Sequence, residues 1–337
     1  LRVDGTAKLC QDGVRTRFGR EQTLTYLITG CTHINDLIDA TGHTNTAQLG
    51  GTIYTVNGIK TYCDDVLFVT TAGPDFADYF ADYYAANQLS TAGVHQVLPR
   101  TQYNLLSYQS DGRWHEHSKY GADFAAQWGA TALIQAAQVL PFANPQTRGI
   151  YLESGVTEPI WADLGAIRAA APHAKIMWEV AGWDIDDPAL HDAIAACIAQ
   201  VDIYSINLPE SLAYFGTRSE AESLAAIVAL GTPCLFRVGT KGAYMVVDGQ
   251  AWFAPSYDLA HSVDPTGCGN CATGAALYGY AEGLHPLRTV VLANLAAALN
   301  ARQYGPYPLY TVALRAELIH RADSEFMRLT KENSHVS

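Results

Sequence analysis

Basic side chains are scarce in this chain. Its 337 residues hold only 21 Lys and Arg against 33 Asp and Glu, for a net charge of −12. Such a balance argues against a phosphate-backbone ligand such as DNA or RNA, and against an anionic membrane surface. Long hydrophobic runs are missing as well: the longest, Val290–Leu299, is interrupted by Asn294 and is too short to span a bilayer. No apolar stretch accompanies the charged N-terminal residues Asp4, Lys8, Asp12, Arg15 and Arg17, so no signal peptide is expected. The seven cysteines are odd in number and scattered, which speaks against a disulfide framework and for a reducing cytoplasm. Internal repeats and low-complexity tracts are absent too. What remains is a chain with 49% hydrophobic residues, ordinary for a soluble globular enzyme, and long enough for one large α/β domain or two smaller ones.

Short β-branched or aromatic runs alternate with helical patterns. Strands are expected at Thr23–Thr29, Val66–Thr70, Gly149–Glu153, Lys175–Val180, Val201–Ile206 and Pro233–Val238. Helices are expected at Pro74–Leu89, Ala122–Val139, Ile160–Ala170, Pro188–Gln200 and Ser219–Leu230. This alternation implies a parallel sheet covered on both faces, a three-layer α/β/α sandwich. Two segments break it. Leu37–Leu49 is polar and Thr-rich, and Val97–His117 alternates around the turn signal Asp111-Gly112. Both are expected to leave the main sheet and pair as a small β lid, the plainer alternative being two surface hairpins. The core then comprises residues 1–36, 50–96 and 118–337, and the lid 37–49 and 97–117. The polar end Glu325–Ser337 is expected to fray.

The richest stretch is Asp264-Pro265-Thr266-Gly267-Cys268-Gly269-Asn270, which runs into a small-residue helix over Ala272–Gly283. Two glycines one residue apart let the backbone turn tightly and approach a ligand, and the N–H groups of the following helix favour an anion. The transferring phosphate of a nucleotide or sugar suits such a place. Asn270 stands where a proton-accepting carboxylate would be expected. Four weaker patterns share the chain with it. Asn35 and Asp36, after the first strand and Gly30, can accept hydrogen bonds from sugar hydroxyls, although Asp36 alone reads as a turn cap. Gly50-Gly51, with Asn57 six residues on, would let backbone lie against a polyol. Asn207-Leu208-Pro209-Glu210 follows a strand at the end where ligands of open α/β sheets collect. It reads equally as an N-cap with a dipole-matched Glu, or as a holder of hydrated Mg²⁺. Gly239-Thr240-Lys241-Gly242 makes a Gly-rich hairpin with a hydroxyl and an ammonium for nucleotide phosphates.

Taken in order, these patterns resemble the ribokinase/PfkB-type carbohydrate kinase family. Its signature looks like D-[TP]-x-G-A-G-D before a helix, and the likeness runs from about Tyr26 to Ala301, with Gly73-Pro74-Asp75 also in family order. The resemblance implies a ribokinase-like fold, ATP and Mg²⁺, and transfer of the γ-phosphate to a hydroxyl of a small sugar, polyol or nucleoside. It makes Gly267, Cys268, Gly269 and Asn270 the anion hole and catalytic turn. Asn207 and Glu210 would hold Mg²⁺ through water and, with Thr240, Gly242 and Asp264, the nucleotide. Asn35 or Asp36, Gly50, Gly51 and Asn57 would lie near the acceptor. Lid pairing would supply a homodimer interface. Three departures stand out: Asn270 replaces the family's aspartate base, the usual spacing from Gly30 selects Asn35 rather than Asp36, and Met177-Trp178-Glu179 replaces an Asp-x-Asn strand end.

An amide is not a general base, and losing one typically costs about 10²–10⁴ in rate. Phosphoryl transfer tolerates this better than most chemistry, because its loose transition state depends chiefly on positioning and charge. Asn270 can still orient an acceptor hydroxyl, with Asp36 or a water taking the proton late. The alternative to an active kinase is a catalytically impaired pseudokinase that binds nucleotide or sugar in a regulatory role. Two further readings come from other classes. Cys268-Gly269-Asn270-Cys271 has the spacing of a dithiol redox site at a helix N-terminus. His115 and His117 would share one face of a strand, but without a third zinc ligand.

Overall fold

Strands buried on both sides dictate the centre of this molecule. The structure, a computed structural model, describes residues 25–109 and 114–334. The turn signal Asp111-Gly112 and the first residues of the expected opening strand, Thr23 and Leu24, lie outside them. The chain begins β1 (Tyr26–Thr29), β2 (Thr32–Ile38), β3 (Thr44–Gly51), α1 (Ile53–Lys60), β4 (Val66–Ala72), α2 (Phe76–Ala86). It continues β5 (Val94–Gln96), β6 (Gln102–Tyr108), β7 (Trp114–Ser118), α3 (Ala122–Ala132), α4 (Ala136–Val139), β8 (Gly149–Glu153), α5 (Leu164–Ala170). Then come β9 (Lys175–Glu179), α6 (Gly182–Ile185), α7 (His191–Ile198), β10 (Ile203–Asn207), α8 (Leu208–Phe215), α9 (Glu220–Leu230). The last stretch is β11 (Cys234–Arg237), β12 (Gly242–Val247), β13 (Gln250–Pro255), α10 (Cys268–Ala281), α11 (Pro286–Asn300), α12 (Val312–Ser334).

Nine strands form the main sheet in the order β13-β12-β11-β10-β9-β8-β1-β4-β5. All neighbours from β11 to β5 are parallel, and β12 and β13 add an antiparallel edge. One face, with Tyr26, Phe68, Tyr151, Met177 and Leu235, packs under α1, α10 and α11. The other, with Leu67, Leu152, Trp178, Tyr204 and Phe236, packs under α5 and α7. The result is the three-layer sandwich expected from the alternation.

A second, four-stranded sheet, β3-β2-β6-β7, stands apart from the first. It takes in all of Thr32–Ile38 and extends to Gly51 and Ser118. This sheet therefore begins about five residues before the expected lid boundary, and Asn35, Asp36, Gly50 and Gly51 lie in it rather than in the nine-stranded sheet. The C-terminal segment differs from expectation as well. Glu325–Ser334 is the end of a long helix rather than a frayed tail. Charge pairs tie that helix down: Arg321 Nη1 and Nη2 donate to Asp258 at 2.7 and 2.8 Å, and Asp323 pairs with Arg288 at 2.6 Å.

The site's main helix is set by glycine contacts. A Cβ on Gly58 of α1 would come well inside 3.0 Å of the Cys271 carbonyl in α10, and one on Gly274 of α10 would meet the Thr55 carbonyl of α1. Backbone lies against backbone on both sides, so neither can yield cheaply. Gly58→Ala is expected to lower stability by about 1–3 kcal/mol through overpacking. The reading is a fall in the urea midpoint at unchanged slope. A midpoint at or above the native value would show that the two helices part freely.

Candidate active site

The turn before α10 is built to aim that helix. Asp264 Oδ1 accepts from the Thr266 backbone N–H at 3.0 Å and from its hydroxyl at 2.7 Å. Val263 N and Asp264 N donate to the Ala301 carbonyl, and Asn300 Nδ2 donates to the Thr266 carbonyl at 2.8 Å. Asp264, a nucleotide contact by resemblance, is thus the residue that folds the loop. Burial pushes its carboxyl up, and its Oδ2 is buried without a partner. Gly267 caps the helix at φ +75°, where an L side chain is strained, and a Cβ there would strike the Tyr54 ring. Gly269 and Asn270 follow in the first turn, whose N–H groups have no helical acceptor. Asn270 is half-buried, and its amide makes no hydrogen bond among the described residues.

This helix start lies over the carboxyl ends of the parallel strands. Glu153 and Glu179 are register partners at the ends of β8 and β9, and Asn207 and Arg237 are partners at the ends of β10 and β11. Arg237 Nη2 donates to Glu179 Oε1 at 2.5 Å and stands 3.9 Å from Glu210 Oε2. Glu153 accepts from the Cys31 N–H at 2.9 Å and from the Thr52 hydroxyl. Asn207 and Glu210 form a reciprocal capping box at the start of α8, at 2.8 and 2.9 Å. The cap reading is therefore realised, and Glu210 Oε1 is left without a protein hydrogen bond among the described residues. Burial pushes the Glu210 carboxyl up, against the pull of Arg237. No motif marks Glu153 or Arg237 as a site residue, and Glu179 enters only in the Met177-Trp178-Glu179 departure, although each stands at or next to the last residue of an expected strand, the place where ligands of such sheets collect.

The lid separates Asn35 from Asp36. Neighbours along a strand point to opposite faces. Asp36 Oδ1 accepts from the Tyr103 hydroxyl at 2.6 Å and from Ala47 N at 3.0 Å, and Lys119 Nζ reaches Oδ2 at 2.9 Å. Burial raises its carboxyl, but the bonds from Tyr103 and Lys119 prevail and hold it below the usual carboxylate range. A carboxylate so engaged is a poor proton acceptor, which corrects the late-base role expected for it. Asn35 lies on the other face, against Gly50, where a Cβ would collide with its Nδ2; its Oδ1 is buried and unpartnered. Along that face, Asn104 Nδ2 donates to Glu116 Oε1 at 2.6 Å and lies 3.3 Å from His33 Nδ1. Tyr108 carries the same face to the helix loop through a 2.7 Å bond with the Thr266 hydroxyl. A cavity of about 220 Å³ lies there between Leu37 and Tyr108 of the lid and Asp264 and Tyr304 of the core.

The remaining expected residues are placed less directly. Gly51, at φ +75°, turns β3 into α1 and lets the Cys31 carbonyl approach. Asn57 is fully buried within α1, with its Oδ1 bonded by the Tyr83 hydroxyl at 2.6 Å and its Nδ2 unpartnered, so the structure gives it a packing contact. Thr240 sits exposed on a turn of 3₁₀ helix, whereas Gly242 is buried, and a side chain there would strike the Ala254 carbonyl of β13.

The dithiol reading does not survive. Cys268 and Cys271 each turn their sulfur to α11, reaching the carbonyls of Ala297 and Ala296 at 3.4 Å. Burial pushes the Cys268 thiol up to about 11 and raises that of Cys271 well above its ordinary range, overriding the helix dipole that was expected to lower them. Both are thiols near neutral pH. Mild peroxide is expected to form no Cys268–Cys271 disulfide in the folded protein; a disulfide-linked peptide found by mass spectrometry would restore the redox reading. Among the described residues no three His, Cys, Asp or Glu are grouped to ligate a metal directly, the strand of His115 and His117 included. No helix among them is long and apolar enough to cross a membrane.

Comparison with known proteins bears on the family and the fold. The profile of the pfkB family carbohydrate kinases matches residues 31–311. A 2-dehydro-3-deoxygluconokinase from Thermoproteus tenax is 30% identical over 100 residues, which make up 29% of this chain and 30% of that protein. Among solved structures, a putative ribokinase II from E. coli, in complex with ATP and Mg²⁺, superposes with a TM-score of 0.67 at 18% identity, covering 88% of this chain and 99% of its own. The adenosine kinase of Sinorhizobium meliloti gives 0.68 at 18% identity, over 89% and 99%. A nucleoside kinase of Burkholderia thailandensis, in complex with inosine, gives 0.64 at 18% identity, over 89% and 96%.

Proposed function

Because the chain belongs to the pfkB family of carbohydrate kinases, we propose that it transfers the γ-phosphate of ATP to a hydroxyl of a small sugar, polyol or nucleoside. Its three-layer core with a separate four-stranded sheet is the ribokinase-like fold. The observation that carries the reading is the start of α10. There a left-handed Gly267 and a side-chain-free Gly269 present N–H groups over the strand ends, beneath the lid.

In this reading the acceptor lies between the strand ends and the lid face of Asn35 and Gly50. The orphaned Oδ1 of Asn35 is then satisfied by an acceptor hydroxyl. The nucleotide runs from the Thr240 turn to α10, with its terminal phosphate at the Gly267–Asn270 amides, which hold the developing charge. The donor set also fits Mg²⁺. Glu153, Glu179 and Glu210 set three carboxylates against the single guanidinium of Arg237, and Glu210 Oε1 is unengaged. Without a direct cluster of ligands, Asn207 and Glu210, with Glu179 beside them, would hold the ion through water and phosphate oxygens. Bound there, the ion would neutralise phosphate charge. Asn270 orients the acceptor hydroxyl through its carbonyl oxygen. No observation favours the regulatory pseudokinase.

The test is ADP formation from MgATP by the native protein across a panel of sugars, sugar acids, polyols and nucleosides. Acceptor-dependent turnover is expected with one class. No turnover with any of them, together with no MgATP binding, would overturn the reading.

A further inference from the structure

A cation sits where the helix dipole calls for an anion. Arg237 closes β11, and its guanidinium reaches the first turn of α10: the Cβ that Gly269 lacks would stand well inside 3.0 Å of Arg237 Nη1. The positive end of a 14-residue helix and a positive side chain thus face one another. Among the described residues two carboxylates hold the guanidinium there, Glu179 at 2.5 Å and Glu210 at 3.9 Å. Glu210 is itself engaged by the Asn207 N–H. The Arg237 side chain is 14% exposed, and its Nε is buried without an acceptor. A guanidinium carries a planar fork of N–H donors matched to oxyanions, and here most of that fork is unspent beside helix N–H groups that are unspent too.

We propose that Arg237 is a ligand of the phosphate bound at α10, with Glu179 holding its fork in position. The inference rests on the phosphoryl-transfer reading and assigns a residue to that site. One tetrahedral oxyanion would remove both frustrations at once, since it accepts from the Gly269 and Asn270 amides and from the guanidinium that faces them. The arrangement also explains why position 269 carries no side chain: any Cβ would occupy the space of the guanidinium. A residue that binds only phosphate should matter in proportion to the phosphates a ligand carries at this end.

Isothermal titration of MgATP, MgADP and adenosine tests this on the native protein, R237K, R237Q and E179Q/R237Q. R237Q is expected to weaken MgATP by about tenfold or more, the worth of a charge-assisted hydrogen bond, and to leave adenosine unchanged. R237K should fall between. The double variant leaves no unpaired Glu179 charge, and it is expected to show the same ligand profile even if R237Q alone folds poorly. Equal affinity changes for all three ligands, or none, would overturn the role of Arg237 while leaving the nucleotide reading intact. A native protein that binds none of the three would overturn the nucleotide reading, and Arg237 with it.

Discussion

Asn270→Asp is expected to raise acceptor-dependent turnover of MgATP by about 10²- to 10⁴-fold, the usual worth of a general base. Asn270 is the third residue of α10, half-buried and without a protein hydrogen bond, so a carboxylate of the same shape fits without displacing a partner. A negative charge in a first helical turn is also favourable. Asp36 is no substitute base, because it faces Tyr103 and Lys119 on the far side of β2. In the proposed reaction the native protein therefore works by positioning and charge, with a water taking the proton late, which a loose transition state permits. The variant should carry a pH signature as well. An aspartate base works when ionised, so turnover by the variant falls as pH drops through its pKa, a limb that the native protein lacks. Native turnover equal to that of the variant would mean that the proton leaves by a route independent of position 270.

What was legible beforehand divides along physical lines. The parallel strands were, because burial on both faces leaves short apolar runs such as Val66–Val69 and Ile176–Trp178. The α10 turn was, since Gly267 and Gly269, closely following Asp264, free the backbone for a tight turn. The capping box was equally visible in Asn207-Leu208-Pro209-Glu210. Helix α1 was not: Ile53, Thr55, Val56 and Ile59 read as strand formers, and the helix exists because Gly58 and Gly274 let it lie against α10. Nor was the Glu153, Glu179 and Arg237 group, whose members meet only through the strand order β11-β10-β9-β8. The choice between Asn35 and Asp36 depended on which lid face meets the core, a fact of tertiary placement. The polar end Glu325–Ser334 looks frayed by composition, and what anchors the helix it finishes, the Arg321 pair with Asp258, joins residues 63 apart in the chain.

Gly269→Val is expected to weaken MgATP binding by about 10²-fold or more and to stop turnover, since it attacks both sources of phosphate affinity. Its Cβ would overlap Arg237 Nη1. An arginine tip usually swings aside at little cost, but this one is tied to Glu179 at 2.5 Å in a largely buried place. If it swings, Glu179 loses its 2.5 Å ion pair in a largely buried place. If it holds, the start of α10 must shift, and the Gly269 and Asn270 amides no longer point at the phosphate. The two routes are separable. Gly269→Ala carries the same Cβ, and if the guanidinium is what it strikes, its effect on MgATP affinity should shrink in an R237Q background. That non-additivity is what a double-mutant cycle measures for groups in contact. Additive effects would place the clash in the helix start instead. Unchanged MgATP affinity and turnover in a folded Gly269→Val protein would remove the anion site from α10 altogether, because no phosphate could share that space with both a valine and a guanidinium.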